Sequence, residues 1–330
     1  MSGIRRRDFV ILLGGGAAAW PLAARAQQQP AMPVVGFVNA GLLDAPHIAG
    51  FRKGLNETGY VESQNVTVEY HWLEGQFDRL PALMADLARR RVAVIATPAG
   101  NLAAIAAKAA TTTIPIVFSV GEDPVKLGLV DSLARPGGNA TGANIFNNEI
   151  TAKRLGLLHE LVPKAVRFAV LVDPANVPST KATLRDIPDA AGALGLQIQV
   201  HNASTSREIE AAFAALGREQ ADALFVVPDA FFNSRPGRLA TLAAHYRIPA
   251  AYSVREAVEA GGLMSYGVDR ADGSRQVGVY TGQILKGAKP ADLPVLQSSK
   301  FEFVINAQTA RLLGIEVPNS LQLLADEVIE

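Results

Sequence analysis

Strand-like and helix-like segments alternate along this chain in two successive series, and this alternation limits the fold more than any other feature. The first series occupies residues 34–146 and the second residues 150–267. Short β-rich runs such as VVGFVN alternate with segments whose apolar residues recur every three or four positions. Such alternation with short connections predicts parallel sheets with helices on both faces. Two series of similar length predict two Rossmann-like α/β lobes instead of one large sheet.

The individual elements follow from the same patterns. The predicted strands cover residues 34–39, 66–72, 92–97, 114–119, 141–146, 167–173, 197–202, 223–228, 249–253 and 263–267. The predicted helices cover residues 47–58, 77–90, 101–111, 124–134, 150–161, 180–194, 207–217, 238–246, 254–260, 269–287, 306–313 and 320–329, with an extended segment at 290–304. The pattern alone does not say which lobe holds the elements after residue 267.

The first 26 residues have the pattern of an export leader. A twin-arginine box, Arg6-Arg7-Asp8-Phe9-Val10, precedes a short apolar stretch, and Ala24-Arg25-Ala26 is a small-x-small cleavage site. The stretch is too short and too glycine-rich to span a bilayer, which takes about 20 apolar residues. We therefore expect Tat-dependent export of a soluble periplasmic protein. An amphipathic N-terminal helix that stays attached is the alternative.

Composition excludes several kinds of partner. The leader contains four arginines and one aspartate, so the 31 basic and 31 acidic residues fall to 27 and 30, a mature net charge of −3. A chain this balanced, without a basic stripe, does not attract nucleic acid. It contains no cysteine, which excludes a thiolate nucleophile, disulfides and a lipid-modified cysteine. We expect a protein held together by its core alone, and not a lipoprotein.

Polar residues stand at the predicted carboxyl ends of strands in both series. In parallel sheets these ends form the ligand side, where loops lead into helix N-termini. The candidate ligand-binding residues chosen on this basis are Asn39, Thr97, Ala99, Asn101, Ser119, Asp123, Asn144, Asn176, Asp229, Tyr252, Tyr266 and Asp269. Each polar one also has an ordinary structural interpretation as a helix or turn cap, and the tyrosines as core residues. Their recurrence in both series favours one shared cleft.

The candidates suit an amino acid. Its carboxylate would meet backbone N–H groups where helices begin near Asn101 and Asn176. One of the strand-end aspartates would hold its ammonium group, and one of the two candidate tyrosines would form an aromatic wall. A micromolar receptor needs only about 8 kcal/mol of binding free energy.

Signatures of catalysis and of cofactors are missing from the sequence. It has no phosphate-binding P-loop and no Gly-x-Ser-x-Gly elbow, and the five histidines lack metal-ligand spacing. The glycine-rich residues 137–142 lead into a strand, whereas a dinucleotide fingerprint opens a helix. We therefore expect no cofactor, no metal and no catalysis. The alternative is a periplasmic α/β hydrolase with Asp123 or Asp229 as its base.

One long block carries a family resemblance. Residues 115–142, with PIVFSVGEDPV at their start, resemble bacterial ABC-transporter substrate-binding proteins of the type I periplasmic fold, whose relatives include tryptophan- and tyrosine-binding receptors. Further matches lie at residues 153–158, 161–163 and 301–306, and in the tail. The resemblance spans essentially the whole mature chain and leaves the ligand open.

The resemblance also implies a chain path and partners. Lobe I would comprise residues 32–145 with about 267–290, and lobe II residues 146–266 with about 291–330, joined by a three-stranded hinge. A small ligand would lie between the lobes, which close over it. The implied partner is an ABC permease in the inner membrane, and the receptor would act as a monomer. A receptor that serves a sensor protein instead of a transporter has the same sequence features.

Overall fold

The computed structural model of the chain describes residues 32–41, 43, 45–145, 147–297 and 300–330; the predicted leader, residues 1–26, lies outside them. The strands are β1 (Val34–Asn39), β2 (Thr67–Trp72), β3 (Val94–Ala99), β4 (Ile116–Val120), β5 (Ala140–Asn144), β6 (Arg167–Val172), β7 (Gln197–Asn202), β8 (Ala223–Val226), β9 (Ala250–Tyr252), β10 (Met264–Val268), β11 (Leu296–Gln297), β12 (Phe301–Asn306) and β13 (Glu327–Ile329). The helices are α1 (Ala45–Glu57), α2 (Leu80–Arg89), α3 (Asn101–Ala110), α4 (Asn147–Leu161), α5 (Val177–Leu194), α6 (Ser206–Glu219), α7 (Ala230–Asn233), α8 (Pro236–Tyr246), α9 (Arg255–Glu259), α10 (Arg270–Leu285), α11 (Ala307–Leu313) and α12 (Asn319–Leu324). None of the helices in these ranges is long and apolar enough to cross a membrane.

The strands form two sheets. The first has the order β11-β5-β4-β3-β1-β2, and the second has the order β13-β12-β10-β9-β8-β6-β7. Neighbouring strands run parallel, with β10 and β12 as the antiparallel exception among the described pairs. The predicted α/β class with two Rossmann-like lobes is confirmed.

The chain passes between the two sheets three times. It leaves the first sheet after β5, returns to that side between β10 and α10, and leaves again between β11 and β12. We call the described residues of 33–145 and 269–297 lobe I, and those of 147–268 and 300–330 lobe II. The last passage lies beyond the predicted boundary at residue 290, because Leu296 and Gln297 pair with β5.

Each sheet is buried on both faces, as parallel sheets require. In β6, Phe168, Val170 and Val172 belong to one apolar layer of lobe II, and Ala169 and Leu171 belong to the layer on the opposite face. This is the period-two alternation of a strand with helices on both sides. The continuous run FAVLV therefore forms the centre of the lobe II core.

Helix α10 follows lobe II in sequence but packs on α1 of lobe I. Glycines make the close approach possible. A Cβ atom added at Gly54 would lie 1.9 Å from the carbonyl oxygen of Arg275, and one added at Gly278 would lie 2.2 Å from that of Phe51. No side chain fits at these two points, so the two helix backbones touch directly. This contact fixes α10 to lobe I.

Two predicted helices differ from the structure. Residues 124–134 form turns, because Gly128 has a φ of +70° and cannot continue a right-handed helix. Residues 320–329 begin in a helix but end in a strand. The backbone of Ala325 is extended, and β13 then pairs with β12. An apolar pattern in so short a tail does not distinguish a helix from an edge strand.

Candidate functional site

A cavity of about 130 Å³ lies between the two lobes. Its wall comes from the carboxyl ends of β1, β3, β4 and β5 in lobe I and from the segments after β6, β8, β9 and β10 on the other side. An apolar cavity of about 150 Å³ admits a benzene ring, so the space is sufficient for a small organic molecule. Six predicted site residues line it: Asn39, Asn101, Ser119, Asn176, Asp229 and Asp269.

Lobe I contributes amide and hydroxyl groups at its strand ends. The Oδ1 of Asn39 accepts a hydrogen bond of 2.8 Å from the backbone N–H of Gly41. The Oδ1 of Asn101, at the start of α3, accepts one of 3.1 Å from the N–H of Gly121. Both amide oxygens therefore fix loops of the cavity wall. Ser119 is 1% exposed, and its Oγ has no hydrogen-bond partner among the described residues.

Lobe II contributes a buried carboxylate and amide pair. The Oδ2 of Asp229 accepts a 2.6 Å hydrogen bond from the Nδ2 of Asn176, and its Oδ1 accepts one of 2.6 Å from the N–H of Phe231. Because the Nδ2 of Asn176 faces the carboxylate, the Oδ1 is the remaining polar atom, and it has no partner within the described ranges. Burial and the nearby Asp173 raise the pKa of Asp229 to about 6.

Arg154, on α4, also lines the cavity and is 1% exposed. Its Nε donates a 2.6 Å hydrogen bond to the carbonyl oxygen of Tyr266, and its guanidinium carbon lies 5.5 Å from the ring centroid of Phe225. The Nη1 is buried and has no hydrogen-bond partner in the described part of the chain. Burial lowers the pKa of this side chain to about 9, so it stays charged at neutral pH.

The remaining wall is aliphatic. Its larger apolar members are Ile145, Ile150, Val254 and Val268, and the described lining residues include no Phe, Tyr or Trp. His47 lines the cavity beside α10, where its Nδ1 lies 2.5 Å from the Oγ of Ser274. The site thus combines a few buried polar groups with an apolar surface, as binding sites for small organic molecules do.

The lobes also touch each other beside the cavity. A Cβ atom added at Gly41 would lie 2.9 Å from the carbonyl oxygen of Ala230, and one added at Gly75 would lie 3.1 Å from the ring of Phe231. Gly41 and Gly75 belong to lobe I, whereas α7 belongs to lobe II. The structure therefore has the two lobes in close contact on this side of the cavity.

Two tyrosines predicted to form an aromatic wall do not line the cavity. Tyr252 is 2% exposed and belongs to the apolar core of lobe II, because β9 turns this side chain into the helical layer. Tyr266 is half-buried and stacks on Phe301, with ring centroids 6.1 Å apart. Only its backbone is near the site, where it accepts the bond from Arg154.

Three further candidates, Asp123, Thr97 and Asn144, also lie outside the cavity lining. Asp123 caps the turn that follows β4, where its Oδ1 accepts a 2.9 Å hydrogen bond from the N–H of Val125. Thr97 is fully buried within β3, and Asn144 is buried at the end of β5. Ala99 is the last residue of β3, between Pro98 and Gly100, which both line the cavity. The capping interpretation describes Asp123, and burial describes Thr97 and Asn144.

Asp269 is both a helix cap and a residue of the cavity wall. It caps α10 by accepting a 3.0 Å hydrogen bond from the N–H of Asp272, and it also lines the cavity. Its Oδ2 accepts a 2.9 Å bond from Lys300, so its charge is already paired. The capping bond and this cation hold the pKa of Asp269 below its ordinary value despite partial burial. Asp269 is therefore less suited than Asp229 to receive a ligand cation.

Sequence reasoning missed Arg154 as a site residue. The only signal was that it interrupts an apolar stripe: Ile150, Leu157, Leu158 and Leu161 on the same helix are all buried. A charged residue at such a position is buried together with the stripe. Whether it then reaches a cavity depends on the neighbouring strands, which a helical pattern does not describe.

Comparison with known proteins identifies the family of this chain. Residues 32–329 match the model of a family described as ABC transporter substrate binding protein. The chain belongs to this family. Its members bind small ligands and work with ABC permeases. This substrate-binding protein is 28% identical over 270 residues to a tyrosine-binding protein from Clostridioides difficile (strain R20291), covering 81% of this chain and 76% of that relative.

Solved structures show the same two-lobed fold. The ABC domain from Streptococcus pneumoniae in complex with L-Trp has a TM-score of 0.80 and 25% identity, covering 90% of this chain and 99% of that one. A ligand-free, open substrate-binding protein with adhesive properties from Clostridium difficile has a TM-score of 0.62 and 24% identity over the same shares. This substrate-binding protein thus superposes better on the ligand-bound structure than on the open one. Its fold is that of type I periplasmic binding proteins.

Proposed function

We propose that this chain is the solute-binding component of an ABC import system and binds an amino acid with an apolar or aromatic side chain. The observation that carries the proposal is the cavity between the lobes, whose wall combines buried charged groups with an aliphatic surface. One relative is called a tyrosine-binding protein, and one solved structure of the same fold is in complex with L-Trp. In this proposal the leader exports the chain by the Tat route, and the monomeric receptor delivers its ligand to a permease in the inner membrane.

The cavity suits binding without a reaction. Asp229, the buried acid that could have served as a base, is held by Asn176 and by a backbone N–H, and no nucleophilic side chain bonds to it in the described ranges. No group of three or more potential metal ligands occurs in the part of the chain that the structure describes. A receptor requires neither feature, since it releases its ligand unchanged.

Calorimetric titration of the chain from residue 27 onward tests this function. We expect one molecule of L-tyrosine or L-tryptophan to bind per chain with a dissociation constant near the micromolar range, about 8 kcal/mol. L-Aspartate and L-lysine serve as controls with a charged side chain, which the aliphatic wall disfavours, and D-ribose serves as a control without an amino acid head group. Failure of every amino acid to bind, with ribose bound instead, would contradict the proposal.

Closure of the lobes gives a second expected result. Gly41→Val places a side chain against the carbonyl oxygen of Ala230 in the other lobe, and the φ of Gly41 is not one that requires glycine. The bulk therefore opposes closure, and within lobe I the added Cβ would lie 3.3 Å from the Oδ1 of Asn39. We expect the affinity for the amino acid to fall by about 30-fold, because about 2 kcal/mol is needed to re-close the lobes.

The matched control for closure is Gly237→Val, because Gly237 lies on α8 with open space around the position of a Cβ. Calorimetry on both variants gives the affinities, and thermal unfolding without ligand shows that each one folds. Equal affinities of Gly41→Val and the wild type would show that binding does not require the contact between Gly41 and α7.

The pH dependence of binding tests Asp229 as the partner of the ligand ammonium. Burial raises the pKa of this carboxyl to about 6, so it is mostly ionised at pH 7 and mostly protonated at pH 5. Only the ionised form attracts a cation. We therefore expect the affinity to rise about tenfold between pH 5 and pH 7.

Three other groups near the site have shifted pKa values. Burial also raises the pKa of Asp173, which lies near Asp229 and is unchanged in Asp229→Asn. Burial lowers the pKa of His47 to about 4, so it stays neutral across the range. Glu122, whose pKa burial raises to about 7, titrates in the same range but does not line the cavity. Asp229→Asn keeps the shape of the side chain and removes its titration. The tenfold rise should disappear in this variant, and its persistence would assign the effect to Glu122 or Asp173.

A further inference from the structure

Arg154 is a buried cation that the protein itself leaves incompletely bound. Among the described residues it has one hydrogen bond, from Nε to a backbone carbonyl oxygen, and one ring contact with Phe225. No carboxylate within the described ranges forms an ion pair with it, and its Nη1 bonds to nothing there. Its 1% exposure means that water does not replace these partners at the surface.

Such an arrangement is costly in a folded protein. A buried charge without a partner loses its hydration and gains little in return. Arginines that pair with acids in the described ranges are more exposed: the side chain of Arg167 beside Asp222 is 39% exposed, that of Arg255 beside Glu302 is 36% exposed, and that of Arg270 beside Glu256 is 13% exposed. If this core position required only a side chain of suitable volume, leucine or methionine would make the fold more stable than arginine does. The charge at Arg154 therefore requires a partner that arrives from outside the chain.

The position of Arg154 says where that partner binds. The residue lies in the wall of the cavity between the lobes, on the first helix of lobe II. A guanidinium group presents several N–H donors in a plane, which matches the two oxygens of a carboxylate. The other unpaired polar atom from lobe II in this wall, the Oδ1 of Asn176, is an acceptor and suits a cation instead.

We propose that Arg154 binds the α-carboxylate of the ligand and thereby restricts this receptor to carboxylate-bearing solutes. The inference rests on the proposed function, because it assigns one end of the amino acid within the same cavity. A bidentate contact, with the two carboxylate oxygens accepting from Nη1 and Nη2, gives the buried Nη1 its missing hydrogen bond. It also neutralises the charge when the lobes exclude water, so the carboxylate contributes most of its affinity in the closed state.

The sequence pattern predicts a different partner for the ligand carboxylate. It places the carboxylate at the backbone N–H groups where α3 and α5 begin. Neither helix start has a side-chain cap, so backbone N–H groups remain available at both, but their first turns contain only uncharged residues. Neither helix start carries a cation. Arg154 supplies the charge that both lack.

Matched ligands test the proposal on the wild-type protein first. L-Tryptophan and L-tryptophanamide have nearly the same shape, and the amide lacks the negative charge; L-tyrosine and L-tyrosinamide form a second pair. We expect each acid to bind about 100-fold more tightly than its amide, which corresponds to about 2.7 kcal/mol at 1.4 kcal/mol for each factor of ten. A difference of less than threefold in both pairs overturns the proposal without any variant.

Variants then assign the discrimination to Arg154. In Arg154→Met we expect acid and amide to bind within about threefold of each other, because the methionine keeps the apolar stem and removes the charge. Arg154→Lys keeps the charge without the planar fork and should restore part of the preference. The control is Arg167→Met, which removes an arginine of the same lobe at the start of β6, the opposite end from the cavity.

The outcomes separate this inference from the function. If no amino acid binds to the wild type, the proposed function fails. If amino acids bind and Arg154→Met keeps the wild-type preference for acids, the function stands and the assignment of Arg154 is overturned. Should Arg154→Met fail to fold, Arg154→Lys decides in its place: unchanged discrimination between acid and amide, and unchanged affinity, contradict a bidentate contact.

Discussion

Replacing Tyr252 by alanine is expected to lower the free energy of unfolding by about 4 kcal/mol. The side chain is 2% exposed and packs in the lobe II core with Ile248, Val254 and Ala257. Its ring also fills the space beside Gly262, where an added Cβ would lie 2.6 Å from Cε2. Truncation leaves a cavity that the surrounding strands cannot close. Urea unfolding followed by circular dichroism measures the loss.

Tyr252→Phe is the matched control. The buried hydroxyl of Tyr252 has no hydrogen-bond partner among the described residues, so removing it leaves no group unsatisfied. We expect Tyr252→Phe to be as stable as the wild type or more stable, with unchanged affinity for the ligand. If Tyr252→Ala kept the wild-type stability and lost ligand binding, Tyr252 would belong to the cavity wall and not to the core.

Gly54→Val is expected to lower the free energy of unfolding by about 3 kcal/mol or more. A Cβ at this position would lie 1.9 Å from the carbonyl oxygen of Arg275 and 2.7 Å from the backbone nitrogen of Val279. Both atoms belong to the backbone of α10, so no change of rotamer relieves the overlap. The helices have to separate, which is the costly form of overpacking. Thermal and urea unfolding of the variant measure the effect.

Gly156→Ala provides the control for Gly54→Val. Gly156 lies inside α4, and an added Cβ there would have nothing within 4 Å. Alanine costs less backbone entropy than glycine in a helix, so we expect Gly156→Ala to stabilise the protein by about 0.5–1 kcal/mol. Equal stabilities of Gly54→Val and the wild type would mean that α1 and α10 do not pack backbone to backbone.

The architecture was predictable because its signal is repeated along the chain. Each strand of a parallel sheet is an apolar run, and each connection carries a helical pattern, so errors at single boundaries do not change the fold class. Local exceptions were not predictable. The extended tail at β13 depends on an open edge of β12, and the turns after Asp123 depend on the positive φ of Gly128.

The candidate site was predictable in its position and only partly in its members. Parallel strands bring their carboxyl ends to one edge, which is why Asn39, Ser119 and Asp229 all reach the cavity. When every residue of a strand is buried, its sequence pattern does not show which side chains point to the cavity and which to the core. AAY in β9 gave no sign that Tyr252 turns into the core, and the helical pattern of α4 gave none that Arg154 reaches the ligand space.

Identification of the bound solute tests most directly whether this protein carries an unaltered amino acid. The chain from residue 27 onward is incubated with an equimolar mixture of the common amino acids and small sugars, separated from unbound solutes and denatured. Mass spectrometry then identifies what it releases. We expect one equivalent of an apolar or aromatic amino acid, chemically unchanged. Release of a sugar, of a solute without a carboxylate, or of a chemically altered product would contradict it.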